Sequence, residues 1–106
     1  MVASTDFIFR IIDQYIHELK SNHIPVQQAI LFGSYVNGNP REESDIDVAI
    51  ISTAFSGNRF DDRRKILPLR RKIDNRIEPI PFRPDDFENG GTLAEVIKKT
   101  GIVLEI

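Results

Sequence analysis

Apolar residues near the start of the chain recur at three- and four-residue spacing: Phe7, Ile8, Ile11, Ile12, Tyr15, Ile16 and Leu19. That period predicts an amphipathic helix from Phe7 to Leu19, its apolar stripe packed on a core. Ser4 or Thr5 caps its start, Asp6 falls in the first turn, and Asn22 and Pro25 close it. The period then changes. Val26 to Phe32 is short and almost wholly apolar, as expected of a strand buried on both faces. Ser34 to Val36 predicts a brief helix that Gly38-Asn39-Pro40 breaks. Asp45 to Ser52 predicts a second strand, with Asp45, Asp47, Ala49 and Ile51 on one face and Ile46, Val48 and Ile50 on the other.

A loop containing Gly57 leads into Arg59 to Asp74, a charged stretch whose apolar positions are only loosely helical. Pro68 should kink or divide it. Its cations (Arg59, Arg63, Arg64, Lys65, Arg70, Arg71, Lys72 and, just beyond, Arg76) form the basic cluster of the chain, interleaved with Asp61, Asp62 and Asp74. Such interleaving reads first as a solvated helix face, with a phosphate or partner contact by one or two cations left open. Arg76 to Phe82 alternates as a third strand, and Pro79 and Pro81 place it at a sheet edge or end its pairing early. Pro84 to Gly91 reads as a turn region. Thr92-Leu-Ala-Glu95 reads as a capping box opening a helix through Lys99, which Gly101 stops. Ile102 to Ile106 reads as a last strand. The element order predicts an α/β fold, a mixed β-sheet flanked by helices, in which the short link between the first two strands favours antiparallel pairing.

Length and charge narrow the class. The 106 residues allow a single domain, 1–106, with a real core. A net charge of −2 gives no global field to attract nucleic acid, and no basic stripe or aromatic platform is present, so nucleic acid is not the expected partner. The absence of cysteine excludes disulfides and thiolate metal sites. No apolar run approaches a membrane span and the N-terminus lacks a signal-peptide pattern, so no membrane partner is expected and the expected location is cytoplasmic. His17 and His23 read as surface residues at the first helix and its exit.

The chemistry concentrates between Gly33 and Ser52. Asp45 and Asp47, two apart at the start of a strand, point to the same face and could share one divalent ion. Mg²⁺ is usually held by one or two carboxylates plus substrate phosphates. Antiparallel pairing would bring Gly33 and Ser34, at the end of the first strand, beside that pair. There the Gly33 and Ser34 amides and the Ser34 hydroxyl are suited to phosphate oxygens. Ser44 fits either as a turn residue or as a hydrogen-bond partner that steadies a carboxylate.

Gly33-Ser34, three residues, Gly38, five residues, Ser44-Asp45, one residue and Asp47 together resemble the signature of polymerase-beta-type nucleotidyltransferases. The small size resembles the minimal nucleotidyltransferase (MNT-type antitoxin) branch, often paired with a helical HEPN-type toxin. The resemblance implies a palm-like nucleotidyltransferase fold and transfer of a nucleoside monophosphate, AMP by preference, from an NTP such as ATP to a hydroxyl. It implies Mg²⁺ held by Asp45, Asp47 and a third carboxylate on the strand after the helical connection. Glu78 occupies that place, one residue type away from the more usual aspartate, and Asp74 is the fallback. Gly33, Ser34 and Ser44 would serve the nucleotide, and Arg41 is a further candidate to reach it. A tyrosine of a HEPN-type partner is the implied acceptor, in a hetero-complex or alongside a homo-oligomer.

Two other classes stay in view. One is a non-catalytic antitoxin that neutralises a partner by occlusion. The other is modification of a small molecule such as an aminoglycoside, which normally needs a second acceptor-binding domain. Neither Gly-x-Gly-x-x-Gly nor Gly-x4-Gly-Lys-Ser/Thr occurs, which disfavours Rossmann and Walker sites.

Overall fold

Helix α1 (Thr5–Ser21) forms where the apolar stripe predicts it, and Ile8, Ile12, Tyr15 and Leu19 of that stripe are fully buried. In the computed structural model, residues 5–37 and 44–104 are described. The expected cap Ser4, the breaker Gly38-Asn39-Pro40, Arg41 and the last two residues of the expected final strand lie outside them. α1 ends at Ser21, and His23 adopts a φ of 66°, which turns the chain back towards the sheet.

Among the described residues four strands follow: β1 (Gln28–Phe32), β2 (Ile46–Ile51), β3 (Ile77–Phe82) and β4 (Ile102–Leu104). Their order in the sheet is β3-β2-β1-β4. β1 runs antiparallel to β2 and β4, while β2 and β3 are parallel. Each orientation follows from its connection. The connection between β1 and β2, residues 33–45 with the one-turn helix α2 (Ser34–Asn37), is short, which favours doubling back. Between β2 and β3 the chain crosses over through α3 (Arg59–Ile66) and a 3₁₀ segment (Leu67–Lys72), as a parallel pair requires. Pro68 divides this connection as expected. Its ring removes a backbone donor, and the α-helix stops at Ile66; Leu67 keeps helical dihedrals (φ −60°, ψ −44°) as the chain tightens into the 3₁₀ segment, where proline is tolerated in the first turn.

The sheet is covered on both faces, which accounts for its apolar strands. On one side α1 packs Ile8, Ile12, Tyr15 and Leu19 with Ala29, Leu31, Ile46, Val48, Ile50, Ile66 and Ile77. On the other, Phe87, Ala94 and Ile97 pack with Ile30, Phe32, Ala49, Ile51 and Phe82. Each fully buried aliphatic or aromatic side chain contributes about 1.5–3 kcal/mol. A buried hydrogen bond ties the first layer together: the Tyr15 hydroxyl donates to the Ile66 carbonyl at 2.6 Å, fastening the end of α3 to α1.

Several boundaries differ from expectation. Pro84 to Gly91 is not a turn throughout, because Pro84–Asn89 forms helix α4. Pro84 supplies a helical φ at the first position, and Asp85 and Asp86 favour the positive end of the helix dipole. Thr92 is the first residue of α5 (Thr92–Thr100) rather than its cap. Gly91 takes the cap position and accepts from the Glu95 amide at 3.2 Å. The first strand begins at Gln28 instead of Val26.

β3 is an edge strand, as its prolines imply. The Ile46 amide donates to the Arg76 carbonyl at 2.8 Å and the Ser52 amide to the Phe82 carbonyl at 2.9 Å. The even-numbered residues of β3 therefore face β2, and Pro79 and Pro81 stand at outward positions. Arg70 Nη1 donates to the Ile77 carbonyl at 2.7 Å on that same outer side.

The solvated-face expectation for the acids of 59–74 needs correction at Asp62, which is only 2% exposed. Its carboxylate accepts from the Ser56 amide at 2.8 Å, the Ser56 hydroxyl at 2.9 Å and the Gly57 amide at 3.0 Å. A buried charge is tolerated when its oxygens are satisfied in this way, and here it folds the loop onto α3. Asp62→Ala would leave two amides and a hydroxyl unpaired, so it should lower the unfolding free energy by about 2–4 kcal/mol in urea titration, whereas Asp61→Ala on the exposed side should change it by under about 0.5 kcal/mol.

Candidate active site

β1 ends at Phe32, which lies opposite Asp47 of β2 in the antiparallel register. The next residue, Gly33, has a φ of +81°, a conformation that side chains rarely adopt. A second constraint coincides with the first: a Cβ on Gly33 would collide with the Asp47 carboxylate. Glycine is therefore required twice here, once by the backbone and once by the close approach of an acid. The Val36 amide donates back to the Gly33 carbonyl at 3.0 Å, closing the turn that presents Ser34 at the start of α2.

Along β2 the face beneath α4 and α5 reads Ile51, Ala49, Asp47 towards the start of the strand. Ile51 and Ala49 are buried in the core, and the apolar cover gives way at Asp47, which is half-buried, with Asp45 exposed just beyond. In the parallel register Asp47 lies directly beside Glu78 of β3. Burial first, then the charges of Asp45 and Glu78, push the Asp47 carboxyl up to about 6. A carboxylate held among other carboxylates and partly removed from water is the arrangement a divalent cation relieves.

The structure thus gathers Gly33, Ser34, Asp45 and Asp47 at one end of the β1–β2 pair, with Ser44 immediately before Asp45. Glu78 is adjacent but differently engaged. Arg63 Nη2 donates to both of its carboxylate oxygens, reaching Oε2 at 3.2 Å, and Arg70 Nη1 lies 3.6 Å from Oε2. Among the described residues no three His, Cys, Asp or Glu side chains are grouped to hold a metal ion. Asp74 is committed elsewhere. It accepts from the Arg76 amide and, in a fork, from Arg76 Nε at 3.0 Å and Nη2 at 2.8 Å, and this pairing holds its carboxyl below the usual range. Gly38 and Arg41 lie outside the described residues.

Arg63 and Arg70 are the residues whose part in this arrangement sequence reasoning left open. Their spacing of seven on one helical stretch was the available signal. Their target, Glu78, was a candidate in its own right, but nothing in the sequence tied it to either arginine.

The profile of the family described as "Polymerase beta, Nucleotidyltransferase" matches residues 14–105. The chain belongs to this family. A solved structure from Sulfolobus solfataricus, named provisionally as a nucleotidyltransferase, is similar with a TM-score of 0.65 and 17% identity over 91% of this chain and 78% of that one. At that identity the likeness speaks for the fold. No curated protein matches the chain. The nucleotidyltransferase domain accordingly has the α/β architecture of its family, a mixed sheet with flanking helices. Nucleotidyltransferases generally act on nucleoside triphosphates with a divalent metal ion. Among the described residues no helix is long and apolar enough to cross a membrane.

The raised Asp47 carboxyl has a stability consequence with a definite sign. Because the folded domain binds this proton more tightly than the unfolded chain, ionised Asp47 opposes folding above pH 6, and the penalty fades as pH falls from 6 towards 4. In EDTA, Asp47→Asn should therefore raise stability at pH 7.5 by about 1 kcal/mol, a figure discounted for the half-exposed position. The gain should vanish near pH 4. Thermal melts of both proteins at the two pH values measure it.

Proposed function

We propose that the nucleotidyltransferase domain transfers a nucleoside monophosphate, AMP by preference, from an NTP to a hydroxyl. The observation that carries this reading is the seating of the Asp47 carboxylate against Gly33, with Asp45 at the mouth of the same strand. In this reading the α-phosphorus gains a bond to the acceptor oxygen and loses its bond to the bridging oxygen, and pyrophosphate leaves. Asp45 and Asp47 hold Mg²⁺, which when bound neutralises phosphate charge and polarises the attacked phosphorus. Ser34 donates its hydroxyl, and Gly33 its amide, to the terminal phosphates. Ser44 steadies the start of β2, and Glu78 joins the aspartates in holding the metal and takes up the acceptor proton.

The acceptor in this proposal is a tyrosine hydroxyl of a HEPN-type helical partner, with nucleotide transfer making the domain an antitoxin that works in the cytoplasm. The Gly33 to Asp47 signature supports the wider polymerase-beta-type family, and the small size of the domain supports its minimal branch. The arginine contacts on Glu78 favour keeping a second reading, an antitoxin that binds and occludes its partner without transfer, since a neutralised third carboxylate is less available for catalysis.

Incubation with α-labelled ATP and Mg²⁺ in lysate of the source organism should place label on a protein band identifiable by mass. Asp47→Asn and Asp45→Asn should each reduce labelling by at least about 100-fold, on the scale of losing an essential electrostatic contact in transfer, with circular dichroism unchanged. Equal labelling by Asp47→Asn would remove the metal-ligand assignment, and protection of cells by an inactive Asp47→Asn would favour occlusion.

A further inference from the structure

Glu78 sits in register with Asp47, so its side chain leaves the sheet on the same face, one strand spacing away. Yet it does not join the aspartates in a three-carboxylate group. Its carboxylate is taken up by Arg63 through both oxygens, with Arg70 against Oε2. The two arginines are held differently. Arg70 also donates to the Ile77 carbonyl at 2.7 Å, so it is pinned to the backbone of β3 immediately before Glu78. Arg63 makes its polar contacts to Glu78, and its side chain is 43% exposed. Its backbone is fixed, because α3 ends three residues later at Ile66, whose carbonyl is tied down by the buried Tyr15 hydroxyl. A rigidly mounted arginine with a half-exposed side chain can release its partner without disturbing the fold.

We infer that Arg63 is a positioning residue that competes with the divalent cation for Glu78, holding this carboxylate apart from Asp45 and Asp47 until the cation arrives. The inference rests on the nucleotidyl-transfer reading and adds to it a control on when the third carboxylate is delivered. An isolated exposed ion pair would contribute little to stability. Two cations converging on one acid that neighbours the aspartates do something else: they offset its repulsion of Asp47 and leave it exchangeable. Arg70, anchored to β3, remains beside Glu78 and limits how far it travels.

The test uses Mn²⁺ alone, without nucleotide, titrated by calorimetry and by the loss of its free paramagnetic signal. Arg63→Gln should tighten Mn²⁺ binding by roughly 3- to 30-fold, in keeping with the one or so pK units by which a neighbouring opposite charge alters a carboxylate. Arg63→Lys, which keeps the charge, should restore most of the wild-type affinity. Arg63→Gln combined with Glu78→Gln should bind no tighter than Glu78→Gln alone. Arg64→Gln, which removes a cation of the same helix stacked on Phe60, should leave binding unchanged. Equal tightening in Arg64→Gln, or tightening that persists without Glu78, would reduce the effect to a general field and overturn the inference. Unchanged or weaker binding in Arg63→Gln, with binding still abolished by Asp47→Asn, would overturn the inference and leave the transfer reading standing. Absence of any Asp47-dependent binding would overturn both.

Discussion

The close approach of the Asp47 carboxylate to the Cα of Gly33 is the contact on which the rest of this domain depends. It lies at the end of the antiparallel ladder that sets β1 against β2, where a phosphate-suited turn and a pair of acids come to one place. Because the residue at 33 has neither a side chain nor the usual backbone conformation, no other residue type serves both needs. The antiparallel register then propagates the placement: with Phe32 opposite Asp47, every apolar residue of β1 and β2 is assigned to one core layer or the other.

The electrostatics of the site follow from the same placement. Asp47 is close enough to the core to lose water and close enough to Asp45 and Glu78 to feel their charge, so its proton is held more tightly than that of a free carboxyl. Tolerance of an unfavourable charge is common where a ligand is meant to complete the balance. The domain offsets part of the burden internally through Arg63 and Arg70, which face Glu78 and not the aspartates. Cations and anions are thus distributed so that the acids of β2 remain open while the acid of β3 is covered.

Much of this was legible in the sequence because it rests on local periodicity. The stripe Ile8, Ile12, Tyr15, Leu19 has a helical period and became α1, and the alternation of Ile46, Val48, Ile50 against Asp47, Ala49, Ile51 became the two faces of β2. The prolines of β3 announced an edge. What escaped depends on tertiary placement. Asp62 is one acid among several in a charged run, and only the fold of the Ser56–Gly57 loop makes it a buried acceptor. Helix α4 is six residues long with Pro84 and two aspartates at its start, a composition shared with turns; packing of Phe87 on Phe82, with ring centroids 5.2 Å apart, decides in favour of the helix. The pairing of Arg63 with Glu78 spans a crossover, and no local pattern encodes it.

The outer border of β3 has a meaning beyond its place in the sheet. Pro79 and Pro81 remove two donors from that border, and Arg70 occupies the Ile77 carbonyl between the strand and solvent. A foreign strand approaching from this direction finds no donor at Pro79 or Pro81 and an occupied acceptor at Ile77, so templated growth of the sheet is disfavoured on the side that carries Glu78. The opposite border, β4, has no proline and exposes Val103. The sheet is therefore polar in its capacity to extend: closed to chain-to-chain pairing along β3 and chemically open along β4.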